Sequence, residues 1–212
     1  MAGLFITLEG IEGVGKSTAL TYLEKLLQEA EIEVVTTREP GGTSLGEMVR
    51  EWILSGIHGE LSGELEALLM FAARSHHIDK VIKPALNAGH CVICDRFTDA
   101  TFAYQGAGRG TNPEFLRVLK QAVQGNFEPD LTFLLDAPVE VGMQLIAGRP
   151  TDHFEQEDTP FFERIRKFYL RLAKEHTERI ITIDANRPRK DIERDLKRYL
   201  CQFLEAIPLR DG

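Results

Sequence analysis

Cysteine is scarce in this chain: 212 residues contain three, Cys91, Cys94 and Cys201. An odd, low count builds no disulfide framework and suits a reducing compartment. Excess positive charge is also missing. Lys and Arg number 25 against 33 Asp and Glu, a formal net charge of −8. That excludes a broad nucleic-acid-binding face, which needs clustered positive charge, but leaves room for a local basic pocket. Long hydrophobic runs are absent too. The first apolar run, residues 4–8, ends at Glu9, and no basic segment precedes it. Neither a signal peptide nor a membrane span is expected, and the reading is a cytoplasmic protein. No repeat, low-complexity tract or linker divides the chain, so one domain over residues 1–212 is expected. The Cys91-Val92-Ile93-Cys94 string has the spacing of a metal or redox pair, yet it reads as a strand. Residues three apart on a strand point to opposite faces, so those thiols would not share a ligand.

What the chain does have is alternation. Short apolar runs at 4–8, 33–37, 91–94, 131–135 and 180–183 read as five strands. Helical spacing fills 16–30, 44–54, 63–88, 113–124, 139–147, 160–176 and 190–205, with Pro84 crossing the long third stretch. Strand and helix in turn predict an α/β fold, a five-stranded parallel sheet with helices on both faces. The segments 38–46, 97–112 and 147–160 read as irregular chain and as the places for ligand contacts.

Between the first strand and the first helix lies Gly10-Ile11-Glu12-Gly13-Val14-Gly15-Lys16-Ser17, a full G-x-x-x-x-G-K-[ST] match in its proper context. Its glycines let backbone N–H groups turn inward around phosphate oxygens, and the following helix N-terminus adds free N–H groups and partial positive charge. Lys16 is expected to reach the β- and γ-phosphates of a nucleoside triphosphate, and Ser17 to ligate Mg²⁺. No N-K-x-D string marks a GTPase, and the chain is too short for an ABC-type ATPase. A small kinase fits best. Asp95 and Arg96 end the third strand, at the sheet edge where ligands of open parallel sheets bind. There Asp95 can hold Mg²⁺ or its waters, and Arg96 can bind a phosphate.

Together these strings resemble the thymidylate kinase family. The resemblance is carried by residues 8–18, by Thr37-Arg38-Glu39-Pro40-Gly41-Gly42-Thr43, by Leu69-Met70-Phe71-Ala72-Ala73-Arg74, by Asp95-Arg96-Phe97, and by Thr101-Phe102-Ala103-Tyr104-Gln105-Gly106. It implies a P-loop nucleoside monophosphate kinase fold and transfer of phosphate from ATP to dTMP, with Mg²⁺, in a homodimer. ATP would lie on Gly10, Ile11, Glu12, Gly13, Val14, Gly15, Lys16, Ser17 and Thr18. Phe71 would stack on thymine, and Arg74, three residues further along the same helix face, would donate to its carbonyl. Arg38 and Arg96 would grip the acceptor phosphate, a task suited to the planar guanidinium fork. Glu12 would contact the sugar near its 3′-OH, Thr101 and Gln105 the base, Tyr104 the C2′ face, and Tyr169 the sugar side. A kinase of another nucleotide or of a deoxynucleoside remains open as an alternative, as does a nucleotide-binding regulator without activity.

The transferred phosphoryl needs a cation beside it, and no residue between Gly10 and Gly15 is basic. Family members without a loop arginine carry one on a lid, which here falls at about 147–158 and contains Arg149. The lid departs from the family pattern in carrying Asp152-His153 where Asp-Arg is usual. With Lys16, Asp95 and Arg96, Arg149 completes the expected catalytic set. Arg149→Ala is expected to lower kcat on the order of 10³-fold while leaving dTMP affinity nearly unchanged. Steady-state kinetics decide this, and a loss below about tenfold removes Arg149 from the chemistry.

Overall fold

A computed structural model describes residues 3–55, 61–146 and 154–206. Its centre is a parallel sheet in the order β2-β3-β1-β4-β5, formed by β1 (Phe5–Glu9), β2 (Val34–Arg38), β3 (Cys91–Asp95), β4 (Leu131–Asp136) and β5 (Ile180–Asp184). All five residues of β1 are buried, as a central strand covered on both faces requires. Even its hydroxyl residue is satisfied there. Thr7 lies opposite Thr132 of β4, and their Oγ1 atoms are 2.7 Å apart.

The connecting helices are α1 (Lys16–Glu29), α2 (Ser44–Ser55), α3 (Gly63–His77), α4 (Lys83–Asn87), α5 (Thr98–Thr101), α6 (Pro113–Gln124), α7 (Val139–Ile146), α8 (Thr159–Glu175) and α9 (Arg189–Ala206). Local chemistry sets several of their ends. The Ser62 hydroxyl accepts from Leu65 N at the start of α3, whose first turn holds Glu64 and Glu66 and whose last holds Arg74, His76 and His77. Both charge placements complement the helix dipole. Asn112 and Asp158 cap α6 and α8 in the same way, each followed closely by a proline.

The core has two sides. One large cluster gathers Ile6, Leu8, Leu23, Phe133, Phe162 and Leu196. A second joins Phe5, Ile82, Val92 and Phe97 on the other face. There Phe5 meets Phe97 edge-on at 5.0 Å and stacks on Phe127 at 5.5 Å. Burying one such ring contributes about 1.5–3 kcal/mol. Cys91 belongs to the first cluster and Cys94 to the second, so the two thiols do face apart.

Two segments differ from the sequence expectation. The stretch read as one helix over 63–88 changes gauge at Ile78–Ile82, a π-helical turn in which Lys83 N–H bonds Ile78 O. Pro84, which has no N–H to give, then sits in the first turn of α4, where none is needed. The segment 97–112, expected to be irregular, is helical over most of its length: α5 runs directly into a π-helical turn, Phe102–Gly108. Its glycines do not break the chain. A Cβ at Gly108 would lie 2.6 Å from the Phe161 ring, and one at Gly106 would lie 3.1 Å from Leu116. Glycine is selected there by close packing, which local propensity does not report.

A similar approach fixes the phosphate loop. A Cβ on Gly13 would lie 2.0 Å from Gly142 O of α7, and one on Gly142 would lie 2.4 Å from Glu12 O. The loop and α7 therefore touch backbone to backbone. Gly142→Ala is expected to destabilise the protein by about 1–3 kcal/mol in denaturant unfolding. An unchanged midpoint would mean that α7 slides freely on the loop.

Candidate active site

The ends of β1 and β3 open onto a cavity of about 400 Å³. Its lining includes Glu12, Gly13, Gly15, Lys16, Ser17 and Thr18 from the phosphate loop and α1, together with Asp95, the last residue of β3, and Arg96 after it. The opposite wall carries Glu39, Pro40, Arg50, Met70, Tyr104 and Gln105. Phe154 and Glu155 close one side. A phosphate loop and a second polar wall thus share one space.

Lys16 is folded back over its own loop, where Nζ donates to Ile11 O at 2.7 Å and to Gly10 O at 3.2 Å. Burial, with the neighbouring Arg96 charge, lowers its pKa from 10.5 to about 8. Asp95 Oδ1 is buried and has no hydrogen-bond partner among the described residues. A carboxylate oxygen so placed, in the same cavity as the Ser17 hydroxyl, suits a hard divalent cation.

Arg96 joins the two halves. Its backbone is left-handed, φ 68°, which is costly for a residue with a Cβ and common at ligand sites. The turn directs the guanidinium toward the loop, where Nη1 donates to Gly10 O at 2.8 Å and Nη2 to Glu12 Oε1 at 2.9 Å. The same guanidinium lies 4.7 Å over the Tyr104 ring, and the Tyr104 hydroxyl donates to the Glu12 carboxylate at 2.7 Å. Glu12, Arg96 and Tyr104, named separately from the sequence, form one cluster.

Arg74 is wholly buried. Nε donates to Glu39 Oε2 at 2.7 Å, and Nη2 donates to Thr101 Oγ1 at 2.9 Å and to Phe97 O at 3.2 Å. Its guanidinium lies 4.8 Å over the Phe71 ring, and Phe71 packs on Ala67 and Leu116. Nη1 has no partner among the described residues, and neither does Gln105 Oε1. The Gln105 amide is oriented by Glu66, whose Oε2 accepts from Nε2 at 2.8 Å. A carboxylate accepts only, so the atom left over is the acceptor oxygen.

Other expected site residues stand back from the cavity. Ile11 and Val14 face the core. Gly10 supplies the carbonyl that Lys16 and Arg96 share. Phe71, Arg74 and Thr101 are buried and are not part of the lining. Arg38, half exposed, donates to Glu47 Oε2 at 3.0 Å and is not part of the lining. Arg50, one of the residues that the sequence reading missed, lines the cavity and donates to Pro40 O at 3.1 Å. Arg149 and His153, with the rest of 147–153, lie outside the described residues. Of the expected lid, residues 154–158 are described; Phe154–Gln156 form a turn of 3-10 helix with Phe154 edge-on to Tyr104.

Tyr169 points to a carboxylate that sequence reasoning also missed. Its hydroxyl donates to Glu9 Oε2 at 2.7 Å, and Glu9 Oε1 accepts from Phe97 N at 2.8 Å. Glu9 is 1% exposed. Burial, reinforced by the Asp99 charge, raises its pKa from 4.5 to about 8. The signal was present: a charged residue closing an otherwise apolar strand.

A loop for nucleotide phosphates and a second polar wall sharing one cavity at the sheet edge mark the class of P-loop phosphotransferases. Comparison with known proteins narrows the class. The sequence profile of the family described as thymidylate kinase matches residues 8–196, so the chain belongs to that family. A thymidylate kinase of Pseudomonas savastanoi pv. phaseolicola is 48% identical over 206 residues, covering 97% of this chain and 98% of that protein. One from Alkalilimnicola ehrlichii is 53% identical over 188 residues, 88% of this chain and 87% of that protein. The crystal structure of thymidylate kinase from Ehrlichia chaffeensis superposes with a TM-score of 0.76 at 33% identity, covering 94% of this chain and 99% of that one.

Glu9 is protonated in the folded protein over a range where it ionises in the unfolded chain. Its contribution to stability is therefore full below about pH 4.5 and is lost as pH rises toward about 8. Glu9→Gln copies the neutral acid. Its stability relative to wild type is expected to improve by more than about 1 kcal/mol between pH 5 and pH 8.5 in urea unfolding. A pH-independent difference would mean that Glu9 is ionised throughout.

Proposed function

We propose that this protein phosphorylates dTMP to dTDP with ATP. Membership of the thymidylate kinase family supports the activity. The observation that carries the acceptor base is the pair of orphaned buried atoms, Arg74 Nη1 and Gln105 Oε1. Gln105 lines the cavity and Arg74 is buried outside its lining; the Arg74 donor and the Gln105 acceptor would match the 4-carbonyl and N3–H of thymine. Cytosine offers the reverse, an amino group and a bare ring nitrogen, and would leave both protein groups unpaired. A mismatch of that kind discriminates strongly because the buried groups lose their partners.

A terminal oxygen of the dTMP phosphate attacks the γ-phosphorus of ATP in line; the new O–P bond forms as the β–γ bridging bond breaks, and ADP leaves. The acceptor is anionic at neutral pH, so no general base is required. Lys16 unfolds from the Gly10 and Ile11 carbonyls to meet the donor phosphates. Arg96, between loop and acceptor wall, meets the acceptor phosphate together with Arg50, which supports that end better than Arg38 does. Arg149 remains the proposed lid cation. Ser17 and Asp95 would hold Mg²⁺, whose chemistry there is charge neutralisation at the donor phosphates.

No helix among the described residues is long and apolar enough to cross a membrane; the proposed location is the cytoplasm. The homodimer reading draws support from exposed Met48 and Trp52 on α2, Leu65 and Leu68 on α3 and Val118 on α6, three helices that lie side by side. Steady ADP formation with ATP and a panel of nucleoside monophosphates and thymidine tests the activity. The fastest turnover is expected with dTMP; no dTMP-dependent ADP formation overturns the assignment.

A further inference from the structure

A buried polar chain runs from the end of β2 to Glu39 on the acceptor wall and on to Arg74. Thr37 Oγ1 at the end of β2 lies 2.7 Å from His77 Nε2. His77 Nδ1 lies 2.9 Å from Glu39 Oε1, and Glu39 Oε2 accepts from Arg74 Nε. His77 is 1% exposed and Glu39 4%. A buried carboxylate needs its oxygens satisfied, and here each has one donor, a ring N–H on one side and a guanidinium on the other. The loop after β2 is pressed onto this chain, since a Cβ at Gly42 would lie 2.4 Å from Thr37 Oγ1 and 2.6 Å from His77 Nε2.

We infer that His77 is a positioning residue for the acceptor: by holding Glu39 it fixes Arg74 at the base end and the Glu39-Pro40 backbone at the phosphate end. Two connections on opposite sides of Glu39 carry this. Through its carboxylate, Glu39 sets the guanidinium whose Nη1 is left for a ligand. Through its backbone it sets Pro40, whose carbonyl receives Arg50, the arginine on the cavity wall. Removing His77 leaves one Glu39 oxygen buried without a donor, so the carboxylate and the loop shift together. None of this chain reaches the phosphate loop, so the donor side is untouched. The inference rests on the assignment of dTMP as acceptor.

Its test is steady-state kinetics on the full chain, varying dTMP, dCMP and ATP separately, for wild type, His77→Leu, His77→Asn and Thr37→Val. His77→Leu is expected to raise KM for dTMP about tenfold and to narrow the preference for dTMP over dCMP. The values of kcat and KM for ATP should stay within about twofold, since what is lost is uniform binding of the acceptor. His77→Asn, whose amide nitrogen can replace Nδ1, should restore most of the loss. Thr37→Val, which removes only the far end, should raise KM for dTMP about threefold. If His77→Leu does not fold, as read by loss of a cooperative thermal transition, Thr37→Val and His77→Asn decide alone. An unchanged KM for dTMP in folded His77→Leu, or in Thr37→Val when it decides, overturns the inference, and so does an equal loss on the ATP side. Wild type inactive on dTMP overturns the assignment and this inference together; wild type active with insensitive variants overturns the inference only.

Discussion

The contact on which the site depends is that of the Arg96 guanidinium with the phosphate loop. Arg96 leaves β3 in a left-handed turn, at the level where β1 gives way to Gly10. One nitrogen holds the Gly10 carbonyl, a second holds the Glu12 carboxylate, and the Tyr104 ring lies beneath. Donor loop and acceptor wall are thereby tied by one side chain. Phosphoryl transfer gains most of its rate from positioning and charge. A rigid cation set between the loop and the acceptor wall can supply part of each. The strain of its backbone, of order 1–3 kcal/mol, is held in place by β3 and by the buried Phe97 that follows.

Burial recurs as the means by which polar groups are set around this contact. Glu9 is fixed by Tyr169 and Phe97 N, Glu39 by His77 and Arg74, and Glu66 by Gln105 and Arg109. Each acid is nearly excluded from water, and each satisfies a residue that faces or adjoins the cavity. The Arg109 guanidinium also pairs with Glu157 and lies 5.2 Å from the rings of Phe154 and Phe161. The Gln105 amide and the described end of the expected lid are therefore linked through Glu66 and Arg109. Low local dielectric makes such networks rigid when every member is paired, and expensive when one is removed.

Most of the fold could be read in the sequence because apolar periodicity reports burial directly. All five strands were found to within a residue or two, since Phe5-Ile6-Thr7-Leu8 and Cys91-Val92-Ile93-Cys94 have no other plausible use than doubly covered strands. The phosphate loop was legible because its spacing is set by the ligand, not by the core. What escaped was whatever depends on contacts distant in sequence. Helix over 98–108 was hidden by glycines that serve Phe161 and Leu116. Buried acids looked like surface acids, because nothing local to Glu9, Glu39 or Glu66 names the partner that satisfies it. Arg38 and Arg50 are both plausible phosphate ligands on paper. Only the fold shows that Glu47 takes the first and that α2 brings the second to the cavity.

The division between legible and hidden parts follows the chemistry. On the proposed assignment the donor meets mainly backbone N–H groups, so the sequence need only permit a loop shape, and a short motif of glycines, Lys16 and Ser17 does so. On the same assignment the acceptor meets side chains gathered from the loop after β2, α2, α3 and the 96–105 segment, so no contiguous motif can specify it. Precision on that side must come from a second layer of partners, and in this chain that layer is buried acids. An acid sequestered from water can neither drift nor be screened by salt. Its position is therefore transmitted to the arginine or amide it binds. This explains why a protein of net charge −8 can hold two anionic substrates. The buried acids do not face solvent as free charges; on the proposed assignment they aim the groups that bind the substrates.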